Sequence, residues 1–142
     1  MMQEEPRGRR MKKIYLSGAT KNVSYDISSS WRDYMEVALE SEFKTFNPNK
    51  HYDYKDYLPA SDRECRKLFL NHLRESDILL VNLDFSNISC GTNYEIGYAQ
   101  ALNKPIIGFG GREAYNWAKD ACDVVLKDMI EAVNYLSTHY AN

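Results

Sequence analysis

Asp77-Ile78-Leu79-Leu80-Val81-Asn82-Leu83-Asp84, followed by Gly91-Thr92-Asn93-Tyr94-Glu95-Ile96-Gly97-Tyr98-Ala99, is the part of the chain that decides its fold. The first segment is apolar on both faces, as a strand in the middle of a parallel sheet must be. The second opens a helix over residues 92–102, which puts Glu95 one turn into a helix at the carboxyl end of a central strand. Open α/β sheets bind their ligands at that end. Two readings of Glu95 follow. Open amides and the helix dipole would keep its carboxylate ionised, which suits a nucleophile or electrostatic stabiliser better than a general acid. Alternatively, Thr92 and Glu95 spell T-x-x-E, a capping box that closes its own helix and needs no ligand. Gly91 and Gly97 favour the first reading, since they let backbone and ligand approach closely on either side.

Working outward, strands and helices alternate. A strand over 13–16 ends in Ser17-Gly18-Ala19-Thr20. A helix follows with Trp31, Tyr34, Met35, Ala38 and Leu39 on one face and charges between them. A second strand over 43–46 is stopped by Asn47-Pro48, and residues 49–60 form a Tyr-rich loop long enough to be a lid. A helix over 62–75 turns Cys65, Leu68, Phe69, His72 and Leu73 inward. After the central strand and helix come a strand over 104–109, a short helix over 113–119 and a strand over 123–126. The last helix carries Met129, Ile130, Val133 and Leu136 at core spacing. Right-handed crossovers make this an α/β three-layer sandwich, flavodoxin-like or Rossmann-like, with a five-stranded parallel sheet in the order 2-1-3-4-5. That order sets Tyr15 to Thr20 beside Asp84 to Glu95 at the switch point.

Residues 1–10 read as a disordered leader and 11–142 as one domain. A net charge of −2 argues against a nucleic-acid surface. No apolar run approaches the roughly 20 residues that span a bilayer. Cys65, Cys90 and Cys122 show no C-x-x-C spacing and read as reduced thiols of a cytoplasmic protein. His51, His72 and His139 have no paired ligand spacing, so neither a metal site nor another cofactor is expected.

Other residues at the crevice have a functional and an ordinary reading. The Tyr15 hydroxyl can reach a carboxylate emerging from the third strand, or its ring can simply pack beneath a helix. Ser17, Gly18, Thr20 and Lys21 make a donor-rich turn of the kind that cradles phosphate or hydroxyl groups, although the P-loop spacing is absent. Asp84 can bind a sugar hydroxyl or satisfy loop backbone. Ser89 can donate to a ligand oxygen or serve turn chemistry. Tyr52, Tyr54 and Tyr57 can stack on a nucleobase or cover a core edge.

Ile14-Tyr15-Leu16-Ser17-Gly18, Ser76-Asp77-Ile78, the Gly91–Ala99 block and Asn103-Lys104-Pro105-Ile106 together resemble the nucleoside 2-deoxyribosyltransferase superfamily, which includes nucleoside 5′-monophosphate N-glycosidases. The resemblance runs from about residue 12 to the last helix. It implies a flavodoxin-like fold and cleavage of the N-glycosidic bond of a (deoxy)nucleoside or its 5′-monophosphate. It implies Glu95 as the nucleophile at C1′ and Tyr15 as the residue that orients it. Ser17, Gly18 and Gly91 would line the sugar pocket. Ser89, six residues before Glu95, resembles the hydrolase branch, in which Thr20 and Lys21 become further phosphate contacts. Tyr115-Asn116-Trp117 resembles the transferase segment whose Asn reaches a neighbouring subunit's site, which implies a homo-oligomer.

Phe69 departs from the pattern, because it stands where both branches carry an Asp that assists the leaving base. His72, one turn further along, is a candidate substitute. The expected function is therefore base exchange or hydrolysis through a glycosyl-Glu95 intermediate. The alternative is a nucleotide-derivative binding or sensing protein on the same scaffold, and a weaker third reading is an NAD-type glycohydrolase.

Overall fold

The computed structural model describes residues 10–51 and 61–142. Tyr52, Tyr54 and Tyr57 of the expected lid, and all but the last residue of the expected leader, lie outside the described residues. The elements run β1 (Lys12–Ser17), α1 (Tyr25–Leu39), β2 (Phe43–Phe46), α2 (Pro48–His51), α3 (Asp62–Arg74), β3 (Ile78–Asn82), α4 (Cys90–Ala101), β4 (Ile106–Phe109), α5 (Asn116–Ala121), β5 (Val124–Leu126) and α6 (Met129–His139). The five strands are parallel in the order β2-β1-β3-β4-β5, which is the α/β three-layer arrangement expected.

β1 is central. Lys12 to Tyr15 pair with Phe43 to Phe46, and Ile14 to Ser17 pair with Ile78 to Val81. Alternation along a strand sends its side chains to opposite layers. Ile14 and Leu16 join Trp31, Met35, Leu39, Ala132 and Leu136 under α1 and α6. Tyr15 joins Phe46, Leu73, Leu79, Val81, Ile96, Ala99 and Ala118 under α3, α4 and α5. Each fully buried aliphatic side chain contributes about 1.5–3 kcal/mol by leaving water. The layers therefore hold the sheet from both sides and fix the ends of β1 and β3 next to each other.

Several boundaries differ from the expected ones. The first strand extends to Ser17, because that residue still pairs with Val81. The third and fourth strands begin later, at Ile78 and Ile106. Asp77 is drawn into other work, accepting Lys13 N–H at 2.8 Å and pairing with Arg10 at 3.0 Å. The Asp123 carboxylate likewise accepts the Ile106 N–H at 2.7 Å. The expected loop after β2 starts with the short helix α2. Tyr34 and Ile130, assigned to inner faces, are exposed, because α1 and α6 bury narrower stripes than the spacing suggested. Among the described residues, no helix is long and apolar enough to cross a membrane.

Candidate active site

The site is built where β1 ends and α4 begins. α4 starts at Cys90, two residues before the expected start, and its cap is Ser89. The Ser89 hydroxyl accepts the Thr92 N–H at 3.2 Å and shares a 2.7 Å hydrogen bond with the Thr92 hydroxyl. The alternative reading of Thr92 and Glu95 as a capping box therefore fails, and Glu95 lies in the second turn of α4 rather than the opening one expected. Its carboxylate turns towards the sheet. Ser17 Oγ donates to Glu95 Oε1 at 2.7 Å, and the Tyr15 hydroxyl donates to Glu95 Oε2. Each carboxylate oxygen thus has one fixed donor and keeps a further lone pair.

The electrostatics also differ from expectation. The open amides at the start of α4 are a turn away, so they do not hold Glu95 low. Burial pushes its pKa up, against the hydroxyls of Tyr15 and Ser17 and the charge of Arg32, which all favour the carboxylate. Tyr15 is raised well above the usual phenol range, first by burial and then by the Glu95 charge. Tyr15 thus keeps its proton and can only donate to Glu95. A partly desolvated carboxylate held on both oxygens is suited to attack an electrophilic carbon.

An aromatic wall stands behind Tyr15. The Phe46 ring stacks on Tyr15 with centroids 5.1 Å apart, His72 stacks on Phe46 at 4.2 Å, and Phe69 meets Phe46 edge-on at 6.4 Å. His72 is thus separated from Tyr15 by a ring, which argues against it as the acid that Phe69 does not supply. Cys65 of α3 feels the Glu95 charge; burial and then Asp62 raise its thiol pKa.

The remaining candidates spread outward. A Cβ on Gly18 would come within 2.7 Å of the Trp31 ring, so glycine is demanded by the fold at this turn. Beyond it Thr20 is exposed, and Lys21 pairs with Asp62 at 3.4 Å across the surface. Asp84 does loop work with one oxygen: its Oδ1 accepts the Gly111 N–H at 2.8 Å, in a turn where Gly110 and Gly111 take φ of +71° and +82°. Among the described residues, a Cβ on Gly91 or Gly97 would meet no atom from elsewhere in the fold within 4 Å, so packing does not call for glycine at either place. Asn116 begins α5. With Asn87 to Cys90, Asn93, Tyr115 and Trp117 it lines an open cavity of about 780 Å³ beside the first turn of α4.

One residue escaped the sequence reading. Arg32 is buried, with its guanidinium on the carbonyls of Leu16 and Gly18. The signal was present: residues 28, 32, 35 and 39 form an i, i+4, i+7, i+11 stripe, and Arg32 lies inside it rather than between core positions.

A family model described as nucleoside 2-deoxyribosyltransferase matches residues 14–132, a span that contains Tyr15, Ser17 and Glu95. The chain belongs to this family. Solved structures agree in fold. A 2-deoxyribosyltransferase from the psychrotolerant bacterium Bacillus psychrosaccharolyticus is 21% identical with a TM-score of 0.67, over 87% of this chain and 91% of that one. A 2-deoxyribosyltransferase from Leishmania mexicana is 18% identical with a TM-score of 0.66, over 91% and 99%. A CMP N-glycosidase from Clostridium botulinum is 19% identical with a TM-score of 0.62, over 90% and 100%. Among curated proteins, no relative matches the chain.

Proposed function

We propose that this protein cleaves the N-glycosidic bond of a (deoxy)nucleoside or its 5′-monophosphate through a covalent glycosyl-Glu95 intermediate. The observation that carries this reading is the Glu95 carboxylate, partly open and held by the Tyr15 and Ser17 hydroxyls. Membership of the family supports the reaction class, and the transferases and N-glycosidase of similar fold exemplify its two outcomes.

A Glu95 oxygen attacks C1′, the C1′–N bond breaks, and its electron pair leaves with the base. A second base or a water then attacks C1′ and frees Glu95, and the two displacements together retain configuration. Tyr15 and Ser17 orient the carboxylate throughout. Thr20, Lys21 and Ser89 contact the 5′ end of the substrate. When Thr92 donates to Ser89, the Ser89 proton is left for a ligand oxygen. Asp84 meets the sugar through the oxygen that Gly111 does not use, while Gly18 and Gly91 line the pocket. Asn116, flanked by exposed Tyr115 and by Trp117 at 89% exposure, completes the site of a neighbouring copy in a homo-oligomer.

The test is incubation with a panel of deoxynucleosides and their 5′-monophosphates, with and without a second base. Base release is expected, and a folded protein that releases none across the panel overturns the reading. Phe69 stands where the family pattern has an Asp, and both it and His72 pack against Phe46, which favours a second reading as a nucleotide-binding protein. Tight binding by calorimetry with no turnover would select it.

A further inference from the structure

The hold of Ser17 on Glu95 depends on a turn that is fixed from behind. Arg32, on α1, is 1% exposed. Its Nε donates to the Leu16 carbonyl at 3.2 Å and its Nη2 to the Gly18 carbonyl at 2.9 Å, the two carbonyls on either side of Ser17. Its Nη1 donates to the Ser28 carbonyl at 2.6 Å and the Ser28 hydroxyl at 2.9 Å. That hydroxyl also accepts from Asn49 Nδ2 at 2.9 Å, which ties the arrangement to α2. The guanidinium stacks on the Trp31 ring at 4.8 Å, and the same ring fills the space that a Gly18 side chain would need. Keeping a cation this deep is costly, and an apolar side chain of similar length would spare that cost if packing were its whole purpose.

We infer that Arg32 is a positioning residue of the Glu95 site: it bridges the carbonyls that flank Ser17, keeps the Ser17 hydroxyl on Glu95, and sets a fixed positive charge beside that carboxylate. A planar fork suits this task, since it spans two carbonyls at once where an ammonium would meet them as a point charge. Among the described residues, the groups that face Glu95 are Tyr15 and Ser17 from β1, Arg32 from α1 and Cys65 from α3. Arg32 alone of these carries positive charge, and it acts on both Glu95 and Tyr15 in the direction that favours their ionised forms.

The inference rests on Glu95 being the working carboxylate, yet its test uses no substrate. The Glu95 carboxyl carbon is followed by NMR against pH in the full chain with 13C-labelled glutamate, assigned by its loss in Glu95→Gln. Arg32→Met is expected to move the titration midpoint to higher pH by more than the scatter of repeat titrations. Arg32→Lys, which keeps the charge, is expected to restore most of that movement. The Arg32 Nε–H resonance of the wild-type protein gives a readout that needs no substitution at Arg32. It is expected to shift with the same midpoint as Glu95 and to lose that shift in Glu95→Gln. A folded Arg32→Met with the wild-type midpoint, or an Arg32 resonance that ignores Glu95, overturns the inference. Failure of base release in the substrate panel leaves these titrations unchanged, so the two ideas fail separately.

Discussion

The two faces of the sheet share strand β1 but bury different kinds of chemistry. Ile14 and Leu16 enter a layer of aliphatic and aromatic side chains beneath α1 and α6. Tyr15 and Ser17, one residue out of phase, enter the layer beneath α3 to α5, and there their hydroxyls meet Glu95. A period of two lets one six-residue strand serve the core on one side and the candidate site on the other. On the first face a side chain is defined by volume; on the second it is defined by what it can donate or accept. Arg32 links them, rising from the apolar face to reach over the end of β1.

The contrast breaks most sharply at Glu95. Glu95→Gln keeps the shape but removes the nucleophile, so base release should fall by about 10³-fold or more in an initial-rate assay. Stability should move the opposite way. The pKa of Glu95 is raised in the folded chain by burial, so above its ordinary carboxylate range the unfolded chain ionises first and the folded state loses ground. The stability of Glu95→Gln relative to wild type should therefore increase as pH rises from that range through the folded pKa. Thermal melts at acidic and neutral pH check the sign, and a difference that shrinks with pH contradicts it. Met35→Ala tests the other face: it should cost about 2–5 kcal/mol in urea denaturation while leaving the turnover of folded molecules unchanged. A large fall in turnover with stability intact would erase the distinction between the faces. Ser89→Ala should cost about 1 kcal/mol through loss of the α4 cap, measured by the same denaturation. An additional rise in KM confined to 5′-monophosphates would sharpen the role of Ser89 at the 5′ end.

Much of the fold was legible because its signals are local. Ile78 to Val81 are buried on both faces, and the alternation of strand and helix left few sheet orders open. The site was legible only in its members. Ser89 and Thr92 each stand three residues before a residue that a cap can engage, and sequence spacing alone could not rank them. Three-dimensional contact decides the matter, because Tyr15 and Ser17 reach the Glu95 carboxylate from 80 and 78 residues away. The direction of the Glu95 pKa was missed for the same reason, since burial comes from elements packed around the helix and not from its own amides. Arg32 was hidden by its chemistry, as a charged residue on a helix is ordinarily solvated.

The account rests on a bond between Glu95 and a sugar carbon. The most direct measurement is mass spectrometry of the protein quenched in acid during turnover of a deoxynucleoside or 5′-monophosphate, followed by peptide mapping. The account predicts a deoxyribosyl adduct, carrying the 5′-phosphate when the substrate does, on the peptide containing Glu95, and its loss in Glu95→Gln. An adduct on another residue, or undiminished base release by Glu95→Gln, would contradict it.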